Sequence, residues 1–218
     1  MTAGSPRRGV RDRARTEAEI VAALEAMIRE EGVHKVGVNR LAQRAGCGKE
    51  LIYRYFGGLD GVFLALMAGV DYWTRSGDIP LRALDGGQPP AAAILDMLKG
   101  QLATLRSDEL VQEIRRWELV EADGTREKLA KRRERLARSF IERASEGAGA
   151  DVDVPAVTGL LLAGVLYLVL RSRTEDHFLG VPLQDEAGWQ RYENALEHVC
   201  RRIFPDSMQS PSGGSGIP

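Results

Sequence analysis

Side chains that donate and accept hydrogen bonds are concentrated between residues 49 and 55. They are Lys49, Glu50, Tyr53, Arg54 and Tyr55. Lysine and arginine can donate to phosphate oxygens or to the acceptor atoms of guanine, and a tyrosine hydroxyl can reach a phosphate. The stretch therefore has the chemistry of a nucleic-acid-binding surface, provided that one structural element presents these groups together.

The sequence on either side predicts that element. A short helix with Leu41, Ala42 and Ala45 on one face leads into the turn Gly46-Cys47-Gly48, where glycine can take the left-handed conformation that closes a helix. A second short helix then runs from Lys49 until Gly57-Gly58 ends it. Two helices joined by so short a turn cross steeply, as in a helix-turn-helix, whose second helix lies in the major groove of DNA.

The rest of the chain predicts an all-α protein of about nine helices. Apolar residues at helical spacing indicate helices, besides the two short ones, near 12–31, 59–76, 90–105, 108–120, 125–147, 154–170 and 185–204, with a loop at 76–88. This pattern predicts a three-helix helix-turn-helix unit joined through the fourth helix to a C-terminal helical bundle. The expected domains are a disordered basic arm (1–10), a DNA-binding domain (11–58), an effector-binding and dimerisation domain (59–204) and a disordered tail (205–218).

The distribution of charge favours an anionic partner for the N-terminal part. Residues 1–60 hold eleven Arg and Lys against eight Asp and Glu, although the whole chain has a formal net charge of −1. The two cysteines, Cys47 and Cys200, indicate neither a disulfide framework nor a metal site. The basic N-terminus precedes no apolar segment, so we expect a cytoplasmic protein without a secretory signal.

Two C-terminal helices have the pattern of a subunit interface. The uncharged run 154–170 has Pro155 near its start and is borderline for spanning a bilayer, so a buried helix of a soluble bundle is the preferred interpretation. In the last helix, residues recur at steps of three and four, as in a coiled-coil seam: Trp189, Tyr192, Leu196, Val199 and Ile203. This seam fits packing onto the preceding helix within one chain as well as a four-helix interface between two chains. We favour the homodimer, because the apolar helix needs cover on more than one side.

The N-terminal segment resembles the TetR/AcrR family of bacterial transcriptional regulators. The matching residues are Arg40-Leu41-Ala42, Ala45-Gly46, the run Leu51-Ile52-Tyr53-Arg54-Tyr55-Phe56, and Leu59-Asp60-Gly61-Val62-Phe63. The resemblance covers about residues 13–66 and implies a helix-turn-helix domain, followed by a divergent helical domain that binds a small effector and dimerises.

The resemblance implies that one surface binds double-stranded DNA. Its expected residues are Asn39, Gly48, Lys49, Glu50, Tyr53, Arg54 and Tyr55. The sequence departs from the family pattern at Leu59, where a lysine is common, so one phosphate contact is missing and Arg11, Arg13 and Arg15 are expected to restore the positive charge. By position alone, Trp73, Arg116, Trp117 and Tyr167 are the expected walls of the pocket for an unknown small-molecule effector.

Other classes of function have weaker support. The sequence contains no P-loop, GxSxG, HExxH or glycine-rich strand-to-helix motif, so no catalytic residue, metal ligand or cofactor is predicted. The charged helix near 125–147 is expected to be solvated, with Arg133 among its exposed arginines. The leading hypothesis is a ligand-responsive dimeric repressor of a palindromic operator. An effector-independent DNA-binding adaptor, an activator and, last, an enzyme that uses the helical pocket are the alternatives.

Overall fold

The structure is a computed structural model that describes residues 6–76, 79–120, 124–146 and 152–204. Within these ranges most residues are helical, which confirms the predicted all-α class. The helices are α1 (Pro6–Glu31), α2 (Val38–Arg44), α3 (Lys49–Phe56), α4 (Leu59–Val70), α5 (Tyr72–Ser76), α6 (Ile79–Asp85), α7 (Pro90–Ser107), α8 (Glu109–Val120), α9 (Gly124–Glu146), α10 (Val154–Arg171) and α11 (Glu186–Ile203). Strands β1 (His177–Phe178) and β2 (Val181–Pro182) form an antiparallel hairpin between α10 and α11.

The chain divides into two compact units. Unit 1 comprises Met1–Arg75 and Thr104–Arg135, and unit 2 comprises Ser76–Ala103 and Leu136–Pro218. The boundary expected after residue 58 does not coincide with this division. Because α8 and the first half of α9 pack with the N-terminal helices, unit 1 contains segments far apart in sequence.

Unit 1 is built around one apolar core. The stripe Ile20, Leu24, Met27 and Ile28 on α1 is buried with Ile52 of α3. Residues of α4 and α8 complete this core: Val62, Phe63, Leu66, Met67, Leu110, Ile114 and Trp117. The rings of Phe63 and Trp117 stack with their centroids 5.6 Å apart. Buried aliphatic and aromatic side chains supply most of the stabilisation of such a unit.

Several predicted boundaries need correction. Helix α1 begins at Pro6, so residues 6–10 are helical rather than part of a disordered arm, whereas residues 1–5 and the tail 205–218 lie outside the described residues. The helix expected over 59–76 is interrupted at Asp71, which is extended with φ −72° and ψ 136° and separates α4 from α5. Helix α6 lies within the expected loop at 76–88, because Leu84 is buried and anchors it.

In unit 2, the apolar helix α10 has much of its surface exposed in the single chain. The Asp153 carboxylate caps this helix by accepting a hydrogen bond from the Ala156 N–H at 3.0 Å. By length and composition α10 is the one single helix among the described residues that could cross a membrane, and only 22% of this 18-residue segment is buried within the chain. Leu160 and Tyr167 are exposed by 75% and 50%. Much of its apolar surface therefore has no cover within one protomer.

Candidate nucleic-acid interface

The turn between α2 and α3 is a Schellman motif. Gly46 has a left-handed φ of 64°, and its N–H donates to the Gln43 carbonyl at 3.2 Å. The Cys47 N–H donates to the Ala42 carbonyl at 3.0 Å. This pair of hydrogen bonds satisfies the last carbonyls of α2 and turns the chain towards α3. The helix-turn-helix predicted from the sequence is therefore present, with the predicted glycine at its corner.

Helix α3 presents polar side chains at its N-terminal end and buries its opposite face. Ile52 is fully buried in the core of unit 1, whereas Lys49 and Glu50 are exposed and Tyr53 is 54% exposed. Gly48 precedes the helix without a side-chain cap, and a Cβ atom there would approach the Glu50 carboxylate at 2.6 Å. The glycine thus leaves room for Glu50 over the first turn, where a negative charge is favoured by the helix dipole.

Helix α2 contributes an exposed amide and is fixed by ion pairs with α1. Asn39 is exposed in the first turn of α2, after the extended Gly37. Arg40 binds Glu31 and also donates to the Lys35 carbonyl at 2.8 Å. Arg44 Nη2 lies 2.5 Å from Glu30 Oε1, and its hydrogen bond lowers the pKa of Glu30. The two ion pairs link α2 to α1. Because the carboxylates neutralise both arginines, these side chains serve to position α2.

The C-terminal half of α3 carries a different arrangement. Tyr55 is only partly exposed and packs against the core of unit 1. Arg54 donates from Nη2 to the Tyr55 hydroxyl at 3.0 Å, and its guanidinium lies 4.9 Å from the centre of the Tyr55 ring. The Arg13 guanidinium of α1 lies 5.0 Å from the same ring centre. Asn39, Lys49, Glu50, Tyr53 and Arg54 are therefore all exposed, whereas Tyr55 is partly buried. The Arg54–Tyr55 pair differs from the others because it contacts Arg13 of α1 through the Tyr55 ring.

Helix α9 binds both ends of α4, the helix that follows the helix-turn-helix. The Asp60 carboxylate accepts from Thr125 Oγ1 and Lys128 Nζ, which lowers the pKa of Asp60, with the Lys128 hydrogen bond as the largest cause. At the other end, the Asp71 carboxylate accepts a hydrogen bond from Arg133 Nε at 3.1 Å. The sequence pattern of α9, rich in charges of both signs, gave no signal for these contacts because the partners lie more than sixty residues away.

The four expected effector-pocket residues have separate surroundings. In unit 1, Trp117 packs on Phe63 in the core, Trp73 is 2% exposed with its ring edge-on to Tyr72, and the exposed Arg116 binds Glu113 at 2.7 Å. In unit 2, the ring of Tyr167 contacts Phe178 of the hairpin at 5.4 Å. Trp117 thus packs in the core of unit 1 and Arg116 is a solvent-facing ion-pair partner, and the role of the four residues as pocket walls stays a prediction.

The residues expected at the dimer interface lie on a helix face with an open apolar groove. In unit 2, a cavity of about 180 Å³ is lined by Leu102, Leu160, Leu161, Gly164, Val165, Leu168, Trp189, Tyr192, Ala195, Leu196 and Val199. Trp189 is only 4% exposed. Its indole N–H donates to the Leu183 carbonyl at 3.0 Å, which fixes the segment after the hairpin. Trp189 therefore packs within its own chain, and Tyr192, Leu196, Val199 and Ile203 remain partly exposed.

The geometry defines a class of protein, the helix-turn-helix DNA-binding proteins, because two short helices around a Schellman turn present the second helix with its polar residues outward. Residues 20–66 match the family model described as bacterial regulatory proteins, tetR family. Over these residues the N-terminal part of the chain is therefore similar to the DNA-binding domain of the TetR family of transcriptional regulators. No curated protein matches the chain in sequence.

Solved structures share the fold over most of the chain. The secondary repressor NalD of the MexAB-OprM multidrug efflux pump in Pseudomonas aeruginosa has a TM-score of 0.64 and 18% identity, covering 88% of this chain and 99% of that one. The fatty acid degradation regulator FadR from Bacillus halodurans has a TM-score of 0.61 and 15% identity, covering 90% and 97%. FadR from Bacillus subtilis, solved in complex with stearoyl-CoA, has a TM-score of 0.60 and 14% identity, covering 84% and 96%. At these identities the likeness shows the fold alone.

Proposed function

We propose that the protein is a ligand-responsive, homodimeric repressor that binds a palindromic operator in the cytoplasm. The observation that carries this proposal is the recognition helix α3, which buries Ile52 and turns Lys49, Glu50 and Tyr53 outward. Two copies related by a two-fold axis would place their α3 helices in successive major grooves, about 34–36 Å apart.

The exposed residues of α3 have complementary roles in this proposal. Lys49 would donate to guanine O6 and N7, and Glu50 would accept from the cytosine N4 amino group. Tyr53 and Asn39 would contact phosphates at the edges of the groove. A carboxylate at such an interface repels phosphates, so Glu50 contributes to selectivity rather than to overall affinity.

Dimerisation through α10 and α11 would cover the apolar face that one protomer leaves open. Leu160 and Tyr167 of α10 are exposed, and Leu196 and Val199 of α11 line the adjoining groove. A Cβ atom built on Gly159 or Gly164 meets nothing within 4 Å in the protomer. This space would let the helix of a second copy approach closely, and the two pairs of helices would form a four-helix interface.

Regulation by a small molecule is the third part of the proposal. The likeness to FadR from Bacillus subtilis, which was solved with stearoyl-CoA, supports a helical C-terminal part that accommodates a ligand. Such an effector would release DNA only if it binds the DNA-free arrangement more tightly than the DNA-bound one. A thermal-shift screen of the dimer, with stearoyl-CoA as one probe, tests this part. A regulator should show a ligand that raises the Tm and releases DNA, whereas an effector-independent adaptor should show none.

DNA binding is tested by fluorescence anisotropy with the DNA upstream of the gene and a shuffled duplex of the same length. We expect preferential binding to the upstream DNA, and Lys49→Ala should weaken it by at least about tenfold, equivalent to 1.4 kcal/mol. Glu50→Ala should raise affinity for the shuffled duplex while reducing the preference for the upstream DNA. Lys131→Ala on α9 is a control that removes one exposed lysine distant in sequence from α3. Equal effects of Lys49→Ala and Lys131→Ala would overturn the assignment of α3.

A further inference from the structure

Two arginines from different helices share one tyrosine ring in unit 1. Arg13 of α1 and Arg54 of α3 have their guanidinium carbons 5.0 and 4.9 Å from the centre of the Tyr55 ring. The two positive charges are therefore at most about 10 Å apart. Each contact with the ring is favourable, yet the two cations repel each other.

The acidic residues around this pair do not neutralise both charges. Arg13 donates from Nε to the Glu17 carboxylate at 2.7 Å. Arg54 instead donates from Nη2 to the Tyr55 hydroxyl, which carries no negative charge to neutralise it. The arginines of α2 differ in this respect, since Arg40 binds Glu31 and Arg44 binds Glu30. The Arg13–Tyr55–Arg54 cluster thus keeps an excess positive charge at the junction of α1 and α3.

The hydrogen-bond geometry leaves the tyrosine able to act as a donor. The Tyr55 hydroxyl accepts from Arg54 Nη2 at 3.0 Å, so its own hydrogen is available for another acceptor. Two guanidinium groups and a hydroxyl around one ring are all hydrogen-bond donors, and phosphate oxygen atoms accept charge-assisted hydrogen bonds from groups of this kind.

We propose that Arg13, Arg54 and the Tyr55 hydroxyl bind one backbone phosphate of the DNA beside the groove that α3 enters. The inference rests on the proposed DNA-binding function and adds α1 to the binding surface through Arg13. This phosphate contact fixes the position of the protein on the duplex without reading sequence. It also supplies positive charge to the binding surface, whereas the side chain of Leu59 is apolar and offers none.

The chain offers a matched control on the same helix. Arg15 pairs with Glu19 at 3.4 Å as Arg13 pairs with Glu17, and both arginine side chains are exposed, by 76% and 56%. The two arginines, both within the described residues, differ in that the guanidinium of Arg13, and not that of Arg15, contacts the Tyr55 ring. Arg13→Ala and Arg15→Ala therefore remove the same charge and the same type of helical ion pair, and the Tyr55 contact distinguishes them.

The experiment measures the affinity of the dimer for a mixed-sequence 24-base-pair duplex over a range of KCl concentrations. Loss of one phosphate contact reduces the slope of log K against log salt by about 0.9 per bound protomer. We expect this reduction for Arg13→Ala and for Arg54→Ala, and a clearly smaller one for Arg15→Ala. Tyr55→Phe should weaken binding severalfold with the slope unchanged, because a neutral donor is lost while the ring remains. Glu17→Gln should strengthen binding more than Glu19→Gln, since it releases Arg13.

The alternative is that Arg13 only packs α1 against α3. In that case Arg13→Ala would lower the Tm and leave the salt slope of the folded protein unchanged, which would overturn the inference. Equal slope changes for Arg13→Ala and Arg15→Ala would also overturn it, because they would show general attraction rather than a site. A wild-type protein that binds neither the upstream DNA nor the mixed-sequence duplex would instead reject the proposed function itself, and the inference with it.

Discussion

The Nε atom of Arg133 donates a hydrogen bond to Oδ1 of Asp71 at 3.1 Å, which joins α9 to the residue that ends α4. Arg133 also donates from Nη2 and Nη1 to the two carboxylate oxygens of Glu118 at 2.9 and 3.1 Å. Its side chain is 14% exposed and those of both acids are 8% exposed. Desolvation lowers the pKa of Arg133, but Glu118 and Asp71 raise it more, so its net pKa is raised and the buried arginine stays charged.

Removal of Arg133 should destabilise unit 1. Arg133→Ala leaves Asp71 without this buried cation, although Arg115 still donates to Glu118 at 3.2 Å. Breaking a buried pair typically costs about 3–5 kcal/mol, so we expect a loss of about 3 kcal/mol in the free energy of unfolding. Urea denaturation followed by circular dichroism measures it. The exposed Arg135→Ala on the same helix should change stability by less than about 0.5 kcal/mol. Similar losses for the two variants would contradict the role of Arg133.

The ion pair of Asp60 predicts a pH-dependent contribution to stability. Because Lys128 and Thr125 lower the pKa of Asp60 below 3.8, its contribution is present above pH 3.8 and is lost as the pH falls through the lowered pKa. Since both partners are about a third or more exposed, we expect the effect to be only about 0.5–1 kcal/mol. Wild type should therefore be more stable than Asp60→Asn at pH 7, and this difference should shrink below pH 3.8. A difference that persists unchanged at pH 2.5 would count against the ion pair.

Two glycines of α4 should respond oppositely to the same substitution. A Cβ atom on Gly61 would overlap the carbonyl of Phe56 at the end of α3, whereas one on Gly69 would meet nothing within 4 Å. Gly61→Ala should therefore cost about 2–3 kcal/mol by forcing α3 and α4 apart, and it should weaken DNA binding at the same time. Gly69→Ala should be neutral or stabilising by up to about 1 kcal/mol. Chemical denaturation of both variants checks this pair, and a neutral Gly61→Ala would refute the close approach.

The dimer face is tested by a charge on α10. Leu160→Glu should leave the protomer folded, because the side chain is 75% exposed, but should raise the dimer Kd at least about tenfold by burying a carboxylate between the copies. Sedimentation velocity across a range of protomer concentrations measures the change. Leu119→Glu on α8, at a position that is 67% exposed, is the matched control and should leave the dimer unchanged. A Leu160→Glu protein that dimerises like wild type would place the interface elsewhere.

The local pattern of the sequence was sufficient to predict α2 and α3, the two helices of the helix-turn-helix. Gly46 closes α2 in the left-handed conformation that its residue type favours, and Ile52 is buried at the position that helical spacing assigns to it. The pattern failed where a contact distant in sequence competes with it. The stripe from Val62 to Trp73 fits one continuous helix, yet Asp71 is extended and bound by Arg133.

The sequence alone determined the all-α class and the helix-turn-helix, because capping, turn chemistry and apolar periodicity act between neighbouring residues. Helical spacing also agrees with the outward positions of Lys49, Glu50 and Tyr53, whereas Tyr55 of the same expected surface packs against the core. Only the tertiary structure decided that Arg13 of α1 meets Tyr55, that Trp117 belongs to the core and that Arg133 is buried. These relationships depend on which helices pack together, and no periodicity along a single helix specifies its partner.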